Sequence, residues 1–128
     1  MIKSLSCILV LIMLVMLLSS CNKEEMDPNQ LLGKTKTEVL ELAFNHFQRT
    51  KRGEINIMIE TPMGKNHNFY YKNITEALND EQLMRAERWE LFVEQQTTFF
   101  ISCKEVYIEL FFKDKKVFKY TLNTWNKT

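Results

Sequence analysis

Glycine and proline are scarce: Gly33, Gly53 and Gly64 are the only glycines among 128 residues, and Pro28 and Pro62 the only prolines. That scarcity excludes a glycine-rich phosphate loop, a collagen-like repeat and a proline-rich disordered linker. Histidine is as rare. His46 and His67 are not part of an H-x-x-x-H, H-x-E or Cys-His pair with ligand spacing, so no metal and no cofactor is expected. Ser102 is the only serine after residue 20, and no G-x-S-x-G elbow surrounds it. An excess of one charge is also missing, since 17 basic and 16 acidic residues leave a net charge of +1. A balanced chain offers no field to hold nucleic acid. The expectation is a non-enzymatic protein of one small domain.

What is present begins with an address. Lys3 precedes an unbroken apolar run from Ile8 to Leu18. As a helix this run would extend roughly 16 Å against a hydrocarbon core of roughly 30 Å, too short to span. A basic start, a short apolar stretch and small residues after it have the form of a secretory signal over residues 1–20. Leu18-Ser19-Ser20-Cys21 resembles the lipobox of bacterial lipoproteins. That resemblance implies cleavage before Cys21, lipidation of its thiol, and a protein held in the membrane by its acyl chains rather than by a spanning helix. Lys23-Glu24-Glu25 is similar to the export tag of some surface lipoproteins, and equally fits the start of a solvated linker. Asn22 stands where the inner-membrane retention pattern has Asp, so the resemblance favours the outer membrane. On that resemblance Cys7 would fall in the removed segment and Cys21 would be the acylation point, which leaves Cys103 alone, without a disulfide partner, and expected as a buried apolar thiol.

Residues 21–30 are nearly devoid of apolar side chains and read as a flexible tether, so the domain is expected over 31–128. Thr35-Lys36-Thr37-Glu38 fits a capping box that opens a helix with an apolar stripe of Val39, Leu40, Ala43 and Phe47, closing in the basic segment Arg49 to Gly53. Ile55, Ile57 and Ile59 alternate with polar residues as a strand, and His67 to Tyr71 returns as its hairpin partner across the Pro62–Gly64 turn. Asn73-Ile74-Thr75-Glu76 repeats the capping pattern, with Asp80 dividing the helical stretch it opens. Alternating runs then follow: Trp89, Leu91, Val93; Phe99, Ile101, Cys103; Val106, Ile108, Leu110, Phe112; and Phe118, Tyr120, Leu122, with breaks at Lys104-Glu105 and Lys113 to Lys116. The fold class is α+β: an antiparallel sheet ending in a C-terminal meander, with one or two helices packed on it in a two-layer sandwich.

The same alternation puts Phe92, Phe100, Tyr107 and Phe111 on the opposite side of the meander. Each aromatic carries about 150 to 250 Å², so an uncovered group of four would form a partner surface. Helices divided between the two faces, or a bulge that shifts one strand's parity, would bury it instead. His46 is expected to border the core, and Glu90 and Glu94 to lie on solvated strand faces. Arg49, Lys51 and Arg52, with Lys113, Lys115, Lys116 and Lys119, fit either a solubilising surface or a site for an anionic polymer or lipid headgroup.

Leu32-Gly33-Lys34-Thr35-Lys36-Thr37-Glu38-Val39 resembles the opening of the SmpA/OmlA type of small outer-membrane lipoprotein, and Tyr107 to Val117 resembles that family's last hairpin. The resemblance implies two helices on a three-stranded antiparallel sheet and an accessory role in outer-membrane assembly. The functional expectation is a lipid-anchored envelope protein with a binding or scaffolding domain and an envelope protein partner. The alternative is a surface or periplasmic inhibitor or immunity-type protein, a class that also uses small catalytically empty α+β domains.

Overall fold

Thr35 caps the first helix as its spacing requires: its hydroxyl accepts from the Glu38 amide at 3.3 Å, and the Glu38 carboxylate accepts from the Thr35 amide at 3.2 Å. In the computed structural model, which describes residues 27–98 and 102–127, this box opens α1 (Lys36–His46). Val39, Leu40 and Ala43 of α1 are fully buried. The helix stops at His46, before the basic segment expected to close it. Phe47 turns into the core, the Arg49 guanidinium donates to the Phe44 carbonyl at 3.3 Å, and Gly53 closes a separate turn on Thr50. His46 is exposed, contrary to expectation, because the stripe of α1 turns away from it.

Five strands follow the order β2-β1-β3-β4-β5, all neighbours antiparallel: β1 (Ile55–Glu60), β2 (Asn66–Tyr71), β3 (Arg88–Thr98), β4 (Ser102–Lys113) and β5 (Lys116–Lys127). Between β2 and β3 the chain makes two short helices, α2 (Ile74–Leu78), capped by Asn73, and α3 (Glu81–Arg85), capped by Asp80. Asp80 divides them because its carboxylate accepts from the Gln82 and Leu83 amides and so starts a new helix. The α+β class is as the sequence predicts. The three-stranded sheet implied by the family resemblance is instead five-stranded, since the β1–β2 hairpin extends it.

All three helices pack on one face. That face is built from Ile55, Ile57 and Ile59 of β1, Trp89 and Leu91 of β3, and Ile108 and Leu110 of β4, all buried. Trp89 joins the layers: its indole N–H donates to the Leu83 carbonyl at 2.8 Å, and its ring meets Phe112 edge-on at 4.7 Å. The Lys36 ammonium lies over both rings and donates to the Met84 carbonyl; burial pulls its pKa below the ordinary lysine value against the attraction of Glu87. Upstream, a 3-10 turn at Pro28–Leu31 buries Leu31, and Asn29 accepts from the Tyr120 hydroxyl at 2.7 Å. This turn, Pro28–Leu31, is thus tied to the sheet upstream of α1.

Three corrections concern the strands. The four expected runs form three long strands, and Lys104-Glu105 lies inside β4 rather than at a break, paired with Gln96 and Gln95. Two irregularities shift parity, one between Phe92 and Glu94 and one at Phe111/Phe112. At the first, Gln48 satisfies freed backbone groups: its amide donates to the Val93 carbonyl at 2.7 Å, and its side chain accepts from the Gln95 amide at 2.8 Å. At the second, Phe118 leaves the alternation of Tyr120 and Leu122, and its ring lies 6.5 Å from that of Phe111. Cys103, expected to be buried, is half-buried and opposite Thr97 and Lys127, on the parity of Tyr107 rather than of Ile108. The runs' Phe99 and Ile101 lie outside the described residues.

Candidate functional site

The side of the sheet away from the helices carries no helical layer among the described residues. Three rows of paired residues cross its centre. Arg88 pairs with Phe111 and Phe111 with Lys119; Met58 with Glu90, Glu90 with Glu109, and Glu109 with Thr121; Phe92 with Tyr107, and Tyr107 with Asn123. Phe92, Tyr107 and Phe111 of the anticipated partner surface therefore share this face. Phe100, the fourth, lies outside the described residues, as do Cys21, Lys23, Glu24 and Glu25. All three described rings are half-buried, held by neighbours: Phe92 and Tyr107 lie 5.4 Å apart, and the Lys119 ammonium sits 5.3 Å from the Phe111 ring. Tyr70 of β2 and Trp125 of β5 are more exposed, at 52% and 60%.

A charge cluster lies between the aromatics. Arg88 faces three carboxylates: Glu109 at 2.6 Å, Glu90 at 3.8 Å and Glu60 at 3.9 Å. Glu90 and Glu109 stand directly opposite each other on neighbouring strands, where like charges repel. Glu90 is only 8% exposed, which corrects the expectation of a solvated glutamate. Its pKa is raised by burial first and by Glu109 second, against the pull of Arg88. Glu94 is half-buried and accepts from the Gln96 amide group at 2.7 Å. The Tyr107 phenol is held above its ordinary range by burial and by donating to Glu105 at 2.7 Å, with further contributions from Glu90 and Tyr70. Tyr71, on the helix side, is raised for the same reasons, burial and its bond to Asp80.

Beside this cluster a cleft of about 770 Å³ opens between the β1–β2 turn, at Thr61 and Pro62, and α3, at Glu81, Gln82 and Arg85. Glu60, Glu87 and Arg88 also line it, so cleft and open face share two charged residues. The combination offers flat rings for stacking, and carboxylates in excess of cations as acceptors for donors from outside. Among the described residues no group of three or more His, Cys, Asp or Glu is placed to hold a metal. The Arg88 cluster was hidden in the sequence because its members come from β1, β3 and β4, and only the register brings them together. Tyr70 did carry a signal, an aromatic out of phase with buried Tyr71, whereas Trp125, between exposed Thr124 and Asn126, carried none.

No family model, no curated protein and no solved structure matches the chain.

Proposed function

We propose that the chain is an envelope lipoprotein, held in a membrane by acyl chains on Cys21, whose domain is a non-catalytic binding or scaffolding module for an envelope protein. The observation that carries the binding reading is the open sheet face. Phe92, Tyr107 and Phe111, flanked by Tyr70 and Trp125, lie on the side that no described helix covers. At about 150 to 250 Å² each, even their partly exposed areas reach the size at which apolar patches mark interaction sites. The anchor reading rests on Leu18-Ser19-Ser20-Cys21, and Asn22 after the thiol supports the outer membrane over the inner. Lys23-Glu24-Glu25 supports surface export within the same reading.

The binding experiment compares wild-type protein with a Tyr70→Ser, Trp125→Ser variant in pull-downs from solubilised membranes of the native host. Both side chains are more than half exposed, so the variant should melt within a few degrees of wild type while losing captured partners. Equal capture by the two proteins would overturn the face as the binding site.

A further inference from the structure

Two groups of basic residues lie at opposite ends of α1. Arg49, at the C-terminal end, is committed to backbone: its guanidinium donates to the carbonyls of Phe44, Gly53 and Lys72. At the N-terminal end, Thr35 bridges to Lys116, the Gly33 amide donates to the Val117 carbonyl, and the Val117 amide donates to the Lys34 carbonyl. This stitching brings Lys34 beside the β4–β5 hairpin, which carries Lys113, Lys115, Lys116 and Lys119, all four exposed. The Glu38 carboxylate lies in the field of both Lys34 and Lys116. Glu38, Asp114 and Glu87, whose carbonyl accepts from the Phe112 amide, are acidic groups near these five lysines and are outnumbered by them, so the end of the molecule stays positive on a chain that is balanced overall. Two large apolar side chains are exposed here as well, Leu32 and Phe118.

The first described residues lie along the same strand, β5. Asn29 is tied to Tyr120, which lies four residues, about 14 Å, along β5 from Lys116. Six Cα-to-Cα steps separate Asp27 from Cys21 in sequence, a reach of at most about 22 Å. A domain anchored through Cys21 can therefore bring its lysine-rich end to the bilayer.

We propose that this end, the β4–β5 hairpin with Lys34 and Leu32, is a membrane-docking surface for anionic phospholipid, which orients the domain on the bilayer that holds its anchor. The proposal rests on the lipoprotein reading above. It makes the anchor and the basic end two signals for one membrane: the acyl chains supply attachment, and the lysines supply orientation and salt dependence. Docking of this end borders the open face at Phe111, where Lys119 lies over the ring, and leaves Tyr70, Phe92, Tyr107 and Trp125 free for a protein partner.

The test uses the lipidated protein reconstituted into vesicles of phosphatidylethanolamine alone, or with about one third phosphatidylglycerol, and amine-reactive labelling read by mass spectrometry. Lys115 and Lys116 should label about fivefold more slowly on the anionic vesicles, the effect of roughly one lysine's attraction to such a surface. Lys51 and Lys72, exposed near the other end of α1, should label equally on both. Protection should vanish at 1 M salt, where the screening length falls to about 3 Å. A variant with Lys113→Gln, Lys115→Gln, Lys116→Gln and Lys119→Gln should leave Lys34 equally reactive on the two vesicles. Acylated protein that floats with both vesicles but labels identically at Lys115 and Lys116 overturns the docking surface alone. Protein purified from membranes of the native host that proves by mass spectrometry to carry no acyl chains on Cys21 overturns the anchor reading and the docking proposal with it.

Discussion

Trp89→Phe tests the joint between sheet and helices. The indole N–H donates to the Leu83 carbonyl at 2.8 Å in a fully buried setting, so a phenyl ring leaves that carbonyl unpaired, at a cost of about 1 to 3 kcal/mol. The smaller ring also opens a void on the order of 40 Å³, worth about 1 kcal/mol more. The edge-on contact with Phe112 survives in weaker form. A total of about 3 kcal/mol in a domain of this size should lower Tm by roughly 12 to 24 °C, read by circular dichroism. Fluorescence gives a second reading, because the sequence has two tryptophans and the other, Trp125, is 60% exposed. Folded wild type should show a blue component that the variant lacks. A drop in Tm under about 5 °C, or an unchanged emission spectrum, would refute Trp89 as the buried, hydrogen-bonded joint. A double-mutant cycle with Lys36→Met should return a coupling of about 0.5 to 1 kcal/mol from the ammonium over the ring.

Lys115→Gly should stabilise the domain by about 1 kcal/mol, since Asp114 and Lys115 hold φ of 53° and 66° in the β4–β5 turn and only glycine takes that conformation without steric cost; chemical denaturation measures it. Glu90→Gln should raise Tm at pH 7 and change it little near pH 4. The folded carboxyl holds its proton more tightly than the unfolded chain does, so this group's contribution to stability is greatest at low pH. It falls as pH rises from the ordinary glutamate range through the raised folded value. Melting curves of both proteins across pH 4 to 7 check the sign, and a wild-type advantage growing with pH would contradict it. Cys21→Ser should leave an uncut precursor without incorporated fatty-acid analogue in metabolic labelling, and label retained in that variant would remove the lipoprotein reading. Changing Lys23, Glu24 and Glu25 to Ala should move the protein from the outside to the inside of the outer membrane, read by protease shaving of intact cells.

Much of the local structure was legible in the chain because its causes are local. Thr35 with Glu38, Asn73 with Glu76, and Asp80 before Glu81 set the starts of three helices through contacts within a few residues of sequence. The alternation of Ile55, Ile57 and Ile59 marks one buried strand face without reference to any other strand. Even the partner-surface parity of Phe92, Tyr107 and Phe111 follows from alternation along single strands.

Tertiary structure decided what depends on more than one strand. Nothing within β3 distinguishes Glu90 from a solvated glutamate; its burial comes from neighbours on β1 and β4, and the neighbour on β4 is another carboxylate. Phe118 left its expected face because an irregularity in the β4–β5 pairing moved it, which the spacing within β5 alone does not encode. Charge shows the same division: the hairpin lysines are neighbours in sequence, yet only the bridge from Thr35 to Lys116 sets Lys34 beside them. Helix caps and alternation act over distances the local backbone covers, and they can be read from it. Register, cross-strand repulsion and the gathering of charge act across hydrogen-bonded neighbours distant in sequence, so only the assembled sheet determines them.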